Sequence, residues 1–170
     1  MNTKSARGRR PRGFTLIEIL IVIGMIAILA AVVLVAVNPL RQFAEARNSQ
    51  RLSNVSAILN AIGERIADNK GIFQDASGSC STAIPSSATD MAKSSYDIRP
   101  CLVSTYLSEL PYDPATGSNT CTTSGCSGSG EAYDTKYTVM QDSSTARITV
   151  CAPGGAESAI SGSVPVCLTR

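Results

Sequence analysis

The 170-residue sequence contains no histidine, no Gly-x-Ser-x-Gly arrangement and no Cys-x-x-Cys pair. Without histidine the chain lacks the side chain that ordinarily exchanges protons near neutral pH, and its serines have no such base to activate them. The same absences deprive zinc of its usual tetrahedral ligand spacing. Gly125, Gly128 and Gly130 stand without the preceding strand and following helix that a phosphate-binding loop needs. Composition therefore points away from an enzyme and calls for no cofactor.

Charge is missing from particular places. No acid occurs in the first 13 residues, where Lys4, Arg7, Arg9, Arg10 and Arg12 supply five cations. No charge of either sign occurs from Ile19 to Val37, and no cysteine precedes Cys80. Cations ahead of an apolar run follow the positive-inside rule, which predicts a cytoplasmic leader and an extracytoplasmic head. Beyond the leader, 10 basic side chains face 13 acidic ones, a net of −3. That sign gives no electrostatic footprint for nucleic acid. Six cysteines confined to the exported part read as a disulfide set formed in an oxidising compartment.

Nineteen apolar residues in a helix reach about 28 Å, close to the roughly 30 Å hydrocarbon core of a bilayer. An ordinary secretory signal has a shorter apolar region, about 7–15 residues, before a small-residue cleavage site. Here Ala30 and Ala31 lie inside the run. Glu18, one residue before it, is the anomaly: a carboxylate at membrane depth costs several kcal/mol unless it is paired or displaced to the interface. At the headgroup level it would have no task, whereas deeper it would need a partner.

The string Gly13-Phe14-Thr15-Leu16-Ile17-Glu18, behind a basic leader and ahead of the apolar Ile19 to Ala31, closely resembles the class III signal of type IV prepilins and pseudopilins. The resemblance implies that residues 1–13 form a leader removed after Gly13 by a membrane-embedded prepilin peptidase. Phe14 would become the new N-terminus and be N-methylated by the same enzyme. Glu18 would neutralise the Phe14 ammonium of a neighbouring subunit during assembly. A matched ion pair is tolerated in an apolar filament core where either charge alone is not. The implied partners are identical or homologous pilin subunits, the peptidase/methyltransferase, pilus or secretion assembly machinery, and the membrane. The implied location is single-pass in the membrane before assembly, with the head extracytoplasmic, and then a cell-surface or periplasmic filament.

Downstream, Pro39 follows Asn38 and interrupts the run, but Leu52, Val55, Leu59, Ile62 and Ile66 resume helical spacing. The pattern predicts one kinked, continuous helix from Phe14 to about Lys70, roughly 85 Å long. Residues 14–38 would be the apolar membrane and assembly part, and 39–70 the amphipathic back half. Its polar face would carry Arg41, Glu45, Arg47, Asn48, Gln50, Arg51, Asn54, Asn60, Glu64 and Asp68. Pro39 is the candidate kink and, by resemblance, a place where the helix could melt in a filament. Gly71 is a plausible helix stop.

Residues 71–170 read as a disulfide-bonded head: a loop over 72–100, a short helix over 101–110 carrying Leu102, Tyr106 and Leu107, and an antiparallel sheet. Tyr133, Thr135, Tyr137 and Val139 alternate in one strand, Ile148 and Val150 in a second, and Val164 to Leu168 supply a third, with a turn from Asp142 to Thr145. The predicted fold is α+β, a long N-terminal helix with an apolar, protruding front half, packed by its back half against a small sheet. Six cysteines allow 15 connectivities, which sequence does not decide. Proximity in chain order suggests Cys80–Cys101, Cys121–Cys126 and Cys151–Cys167.

Pro111-Tyr112-Asp113-Pro114-Ala115-Thr116-Gly117 is a turn signal. After Leu110 it also resembles the Leu-Pro-x-Asp-Pro-x-Gly element of major pseudopilins, with Ala115 where those often carry an aromatic residue. In that family nearby oxygens can hold calcium, which makes Asp113 and Asp134 weak candidates. Two isolated acids are a thin shell for an ion that takes six to eight oxygens, so no metal is expected. The cysteines, long loop and missing aromatic favour a type IV pilus subunit. The turn and modest head favour the alternative, a pseudopilin building the piston of a type II secretion system. A membrane-anchored binding head that never polymerises is a third class.

Overall fold

The computed structural model describes residues 13–75, 78, 80–123 and 125–170. The expected leader cations Lys4, Arg7, Arg9, Arg10 and Arg12 lie outside the described residues. The chain divides after Pro39 into two compact units.

The first unit contains helix α1, Leu16–Val37. Leu16–Ala36 is long and apolar enough to cross a membrane. A helix suits such a segment because it satisfies its backbone polar groups internally, which a bilayer does not do. It stops because Asn38 adopts a left-handed conformation, φ 34° and ψ 81°. Helix α2, Pro39–Asp68, begins on the next residue.

One continuous kinked helix is therefore replaced by two helices meeting at Asn38. The residue before a proline is disfavoured in the α region, and asparagine is among the few residues that enter the left-handed one readily. Pro39 then opens α2, at the position where its missing N–H costs nothing. The far end of α2 closes on a left-handed Lys70, φ 57°, and Gly71, φ 92°. The Gly71 N–H donates to the Ile66 carbonyl at 2.8 Å, the capping bond of a Schellman motif.

In the second unit α2 packs with a sheet around one core. Val55, Ile58, Leu59 and Ile62 are buried with Met91, Tyr133, Tyr137, Val139 and Val150. The helix face differs from the sequence expectation. Leu52 is 48% exposed, whereas Arg51, Asn54 and Arg65 are buried. The apolar stripe is narrower than the buried one, and polar side chains with distant partners complete it.

The sheet is antiparallel, in the order β1-β3-β4-β5: β1 is Thr89–Ala92, β3 Tyr133–Gln141, β4 Ile148–Ala152 and β5 Val166–Thr169. A two-residue strand, β2 (Ser118–Asn119), also pairs with β3. Alternation in β3 buries Tyr133, Thr135, Tyr137 and Val139. Strand β1 falls inside 72–100, where sequence suggested loop, and β2 lies just after the Pro111–Gly117 turn, where no element was expected. The helix expected over 101–110 is instead a single turn, α3, Arg99–Leu102. Pro100 favours that start, and Ser104, at φ 78°, turns the chain before Val103 bridges Leu107.

Between Asp90 and Ala92 the pairing of β1 with β3 slips. Lys136 lies in the bulge at φ 57°, a conformation rare for a lysine in a strand. Thr135 makes the bulge tenable: its hydroxyl donates to the Met91 carbonyl at 2.8 Å and accepts the Tyr137 N–H at 3.1 Å.

Candidate functional site

The N-terminal segment holds the residues that sequence singled out. Gly13 and Phe14 precede the helix, and Phe14 is 79% exposed. A Cβ added at Gly13 would meet no atom within 4 Å among the described residues, so none of these requires glycine there. Thr15 is the N-cap, extended at φ −83° and ψ 150°. Its Oγ1 accepts the Glu18 N–H at 3.3 Å, and its carbonyl accepts the N–H groups of Glu18 and Ile19. This satisfies donors that every helix start leaves open. Thr15-x-x-Glu18 has the spacing of a capping box, a local signal that identifies Thr15.

Glu18 lies in the first turn of α1, a favourable place for a carboxylate beside the positive end of the helix dipole. It is exposed, and it is the only charged side chain between Gly13 and Leu40. Pro39 starts α2, as described. An apolar surface with a single acid near its start can do little chemistry on a substrate. It can enter a membrane, or pack against similar surfaces.

The head is organised about a buried charge cluster. Arg51, on α2, donates from Nε to Asp113 Oδ2 at 2.6 Å, and the two side chains are 2% and 0% exposed. Arg51 Nη1 also donates to Glu157 Oε1 at 2.5 Å and to Asn48 Oδ1 at 2.8 Å. Arg47 donates twice to Glu157, at 2.7 Å each. Asn54 donates to the Tyr112 carbonyl and the Tyr137 hydroxyl. The Asp113 N–H donates to the Thr135 carbonyl, which ties the turn to the bulge. Helix, turn and the segment after the 3₁₀ turn Pro153–Gly155 thus converge on one guanidinium, and the turn and Asn54 tie it to the sheet.

Electrostatics follow from that geometry. Burial alone would raise the Asp113 carboxyl, but hydrogen bonds from Arg51 and from the N–H groups of Ala115 and Thr116 outweigh it and hold the group at about 2. Hydrogen bonds from Arg47 and Arg51 likewise lower Glu157 to about 2. Space is tight: a Cβ on Gly154 would lie 2.8 Å from Asp113 Oδ2, and one on Gly117 only 2.6 Å from the Asp113 nitrogen. Sequence reasoning placed Arg51 and Asn54 on the solvent face and overlooked Glu157, because no periodicity links residues 62 and 106 positions apart.

The two calcium candidates are each engaged by a cation of the chain: Asp113 by Arg51, and Asp134 by Lys136 at 2.5 Å. Among the described residues no group of three or more His, Cys, Asp or Glu side chains could hold a metal ion. The cysteines form Cys80–Cys101, Cys121–Cys126 and Cys151–Cys167. The last joins residues that face each other directly on β4 and β5.

Residues 8–34 match the family model described as the prokaryotic N-terminal methylation motif. The match spans the segment around Gly13, Phe14, Thr15 and Glu18 and most of α1. No curated protein and no solved structure matches the chain.

Proposed function

We propose that the chain is a prepilin: a subunit inserted in the membrane through α1, cleaved after Gly13, N-methylated at Phe14, and polymerised through its N-terminal helix into a pilus-like filament. The observation that carries this reading is the coincidence, at residues 8–34, of the methylation motif with an exposed apolar helix whose one charge is Glu18. Hydrolysis at Gly13 adds water across the amide and leaves a Gly13 carboxylate and a Phe14 ammonium. That ammonium is the natural counter-charge for Glu18 of a neighbouring copy, since each ion alone is strongly disfavoured in an apolar core. The pair would fix the axial register of adjacent subunits. Identical or homologous subunits, a prepilin peptidase/methyltransferase and an assembly machinery follow as partners.

The Glu18→Ala chain tests this. Normal cleavage with loss of filaments is the expected outcome, and filaments indistinguishable from the unaltered ones would remove Glu18 from assembly. A pseudopilin of a type II secretion system is the second reading, favoured by the Leu110–Gly117 turn with its buried Asp113. Imaging cells decides between them: long surface fibres support the pilus, and their absence together with failed protein export supports the secretion piston.

A further inference from the structure

The bond assigned to processing lies just outside the helix, and one hydroxyl marks the boundary. Gly13 and Phe14 are non-helical, Thr15 is extended, and α1 starts at Leu16. We infer that Thr15 is a positioning residue for the cleavage: by capping α1 it holds the Gly13–Phe14 amide out of the helix, where a peptidase can reach it. This rests on the processing reaction proposed above and concerns how the chain presents its bond.

Were α1 to wind one turn further back, the Gly13 carbonyl would accept the Ile17 N–H, the i to i−4 bond of an α-helix. The scissile carbonyl would then be hydrogen-bonded within the chain and flanked by the next turn of side chains. Hydrolysis needs that oxygen free to receive the enzyme's polar groups as water adds to the carbon and the Phe14 nitrogen leaves protonated. An uncapped helix start in apolar surroundings favours such rewinding, because each turn gained satisfies N–H groups that have no water to turn to. The Thr15 hydroxyl offers the Glu18 N–H another acceptor, at 3.3 Å, and removes part of that incentive.

Gly13 does not explain the boundary by packing. A Cβ there meets no atom of the described residues within 4 Å. Its own disfavour for helix helps the cap, but the side-chain bond that stops the helix comes from Thr15.

The test is the rate at which full-length chains are cleaved in membranes containing a prepilin peptidase, followed by pulse-chase and confirmed by N-terminal sequencing. Thr15→Val keeps the shape and loses the hydroxyl, whereas Thr15→Ser and Thr15→Asn keep a capping oxygen and lose the shape. The expected order has Ser and Asn within about twofold of the unaltered chain and Val and Ala about fivefold slower, the size of a lost N-cap. Backbone amide exchange at Ile17, whose N–H would then be bonded to the Gly13 carbonyl, should slow in parallel in the uncut Thr15→Val chain. A Val chain cut at the unaltered rate while Ser is slowed would show that the enzyme reads side-chain shape, and would overturn the inference. Equal rates in all five chains would overturn it while leaving the processing reaction standing. Failure of the unaltered chain to be cut between Gly13 and Phe14 would overturn the processing reading, and this inference with it.

Discussion

The Arg51 guanidinium grips the Asp113 carboxylate with two hydrogen bonds, Nε to Oδ2 at 2.6 Å and Nη2 to Oδ1 at 3.2 Å, across 62 residues of sequence. Both groups have left water, so their worth depends on each other. Removing one partner from a buried pair costs about 3–5 kcal/mol, whereas replacing both by apolar groups of similar volume is often neutral. Arg51→Met should therefore destabilise the head by about that amount, and Arg51→Met combined with Asp113→Leu should recover only part of the loss, because the Ala115 and Thr116 N–H groups then lose their acceptor. Urea unfolding of the full chain in detergent, followed by tyrosine fluorescence, measures both. A single variant as stable as the unaltered chain would show that the pair contributes nothing to the fold.

Acid should loosen the same cluster. The folded chain holds Asp113 and Glu157 at about 2, below their ordinary 3.8 and 4.5. A carboxyl depressed on folding contributes stability that is fully present above its unfolded pKa and is lost as pH falls through the folded value. The urea midpoint should thus hold steady down to about pH 4.5 and fall between there and about pH 2. Glu157→Gln should flatten part of that fall. A midpoint unchanged from pH 5 to pH 2 would contradict the cluster as drawn.

Lys136 offers a test of the bulge. At φ 57° its Cβ is strained, by an amount of order 1–3 kcal/mol, while glycine sits there without strain but gives up unfolded-chain entropy of about 0.4–1 kcal/mol. Lys136→Gly should leave stability unchanged or raise it by about 1 kcal/mol. Lys136→Val, β-branched at the same position, should lower it by about 1–2 kcal/mol. Loss of the Lys136–Asp134 pair is common to both variants and cancels in their comparison. Thermal unfolding of the two side by side provides the measurement.

Signals that act over a few residues were legible in the sequence. The apolar run, the alternation of Tyr133 to Val139 and the glycine at the end of α2 each state their structure through neighbouring chemistry. Two kinds of feature were not. Strand β1 carries Thr89 and Asp90 in only four residues, and β2 has two, so neither shows a period; pairing with β3 makes them strands. Arg51 looked like a solvated cation because its partners lie at 113 and 157, and burial of a charge is a property of the folded neighbourhood. The break at Asn38 was visible as a proline, but whether a proline kinks a helix or starts a new one depends on the conformation of the residue before it.

The three bridges join cysteines that follow one another along the chain, and no closed loop contains a cysteine belonging to another. If the head emerges into an oxidising compartment from Cys80 onward, as the proposed function implies, each mate meets a single waiting thiol, and oxidation in order of arrival yields the native set. The ionic clamp obeys the opposite schedule: Arg51 arrives early and waits for Glu157. Covalent closure can keep pace with delivery, while the charge cluster certifies that delivery is nearly complete.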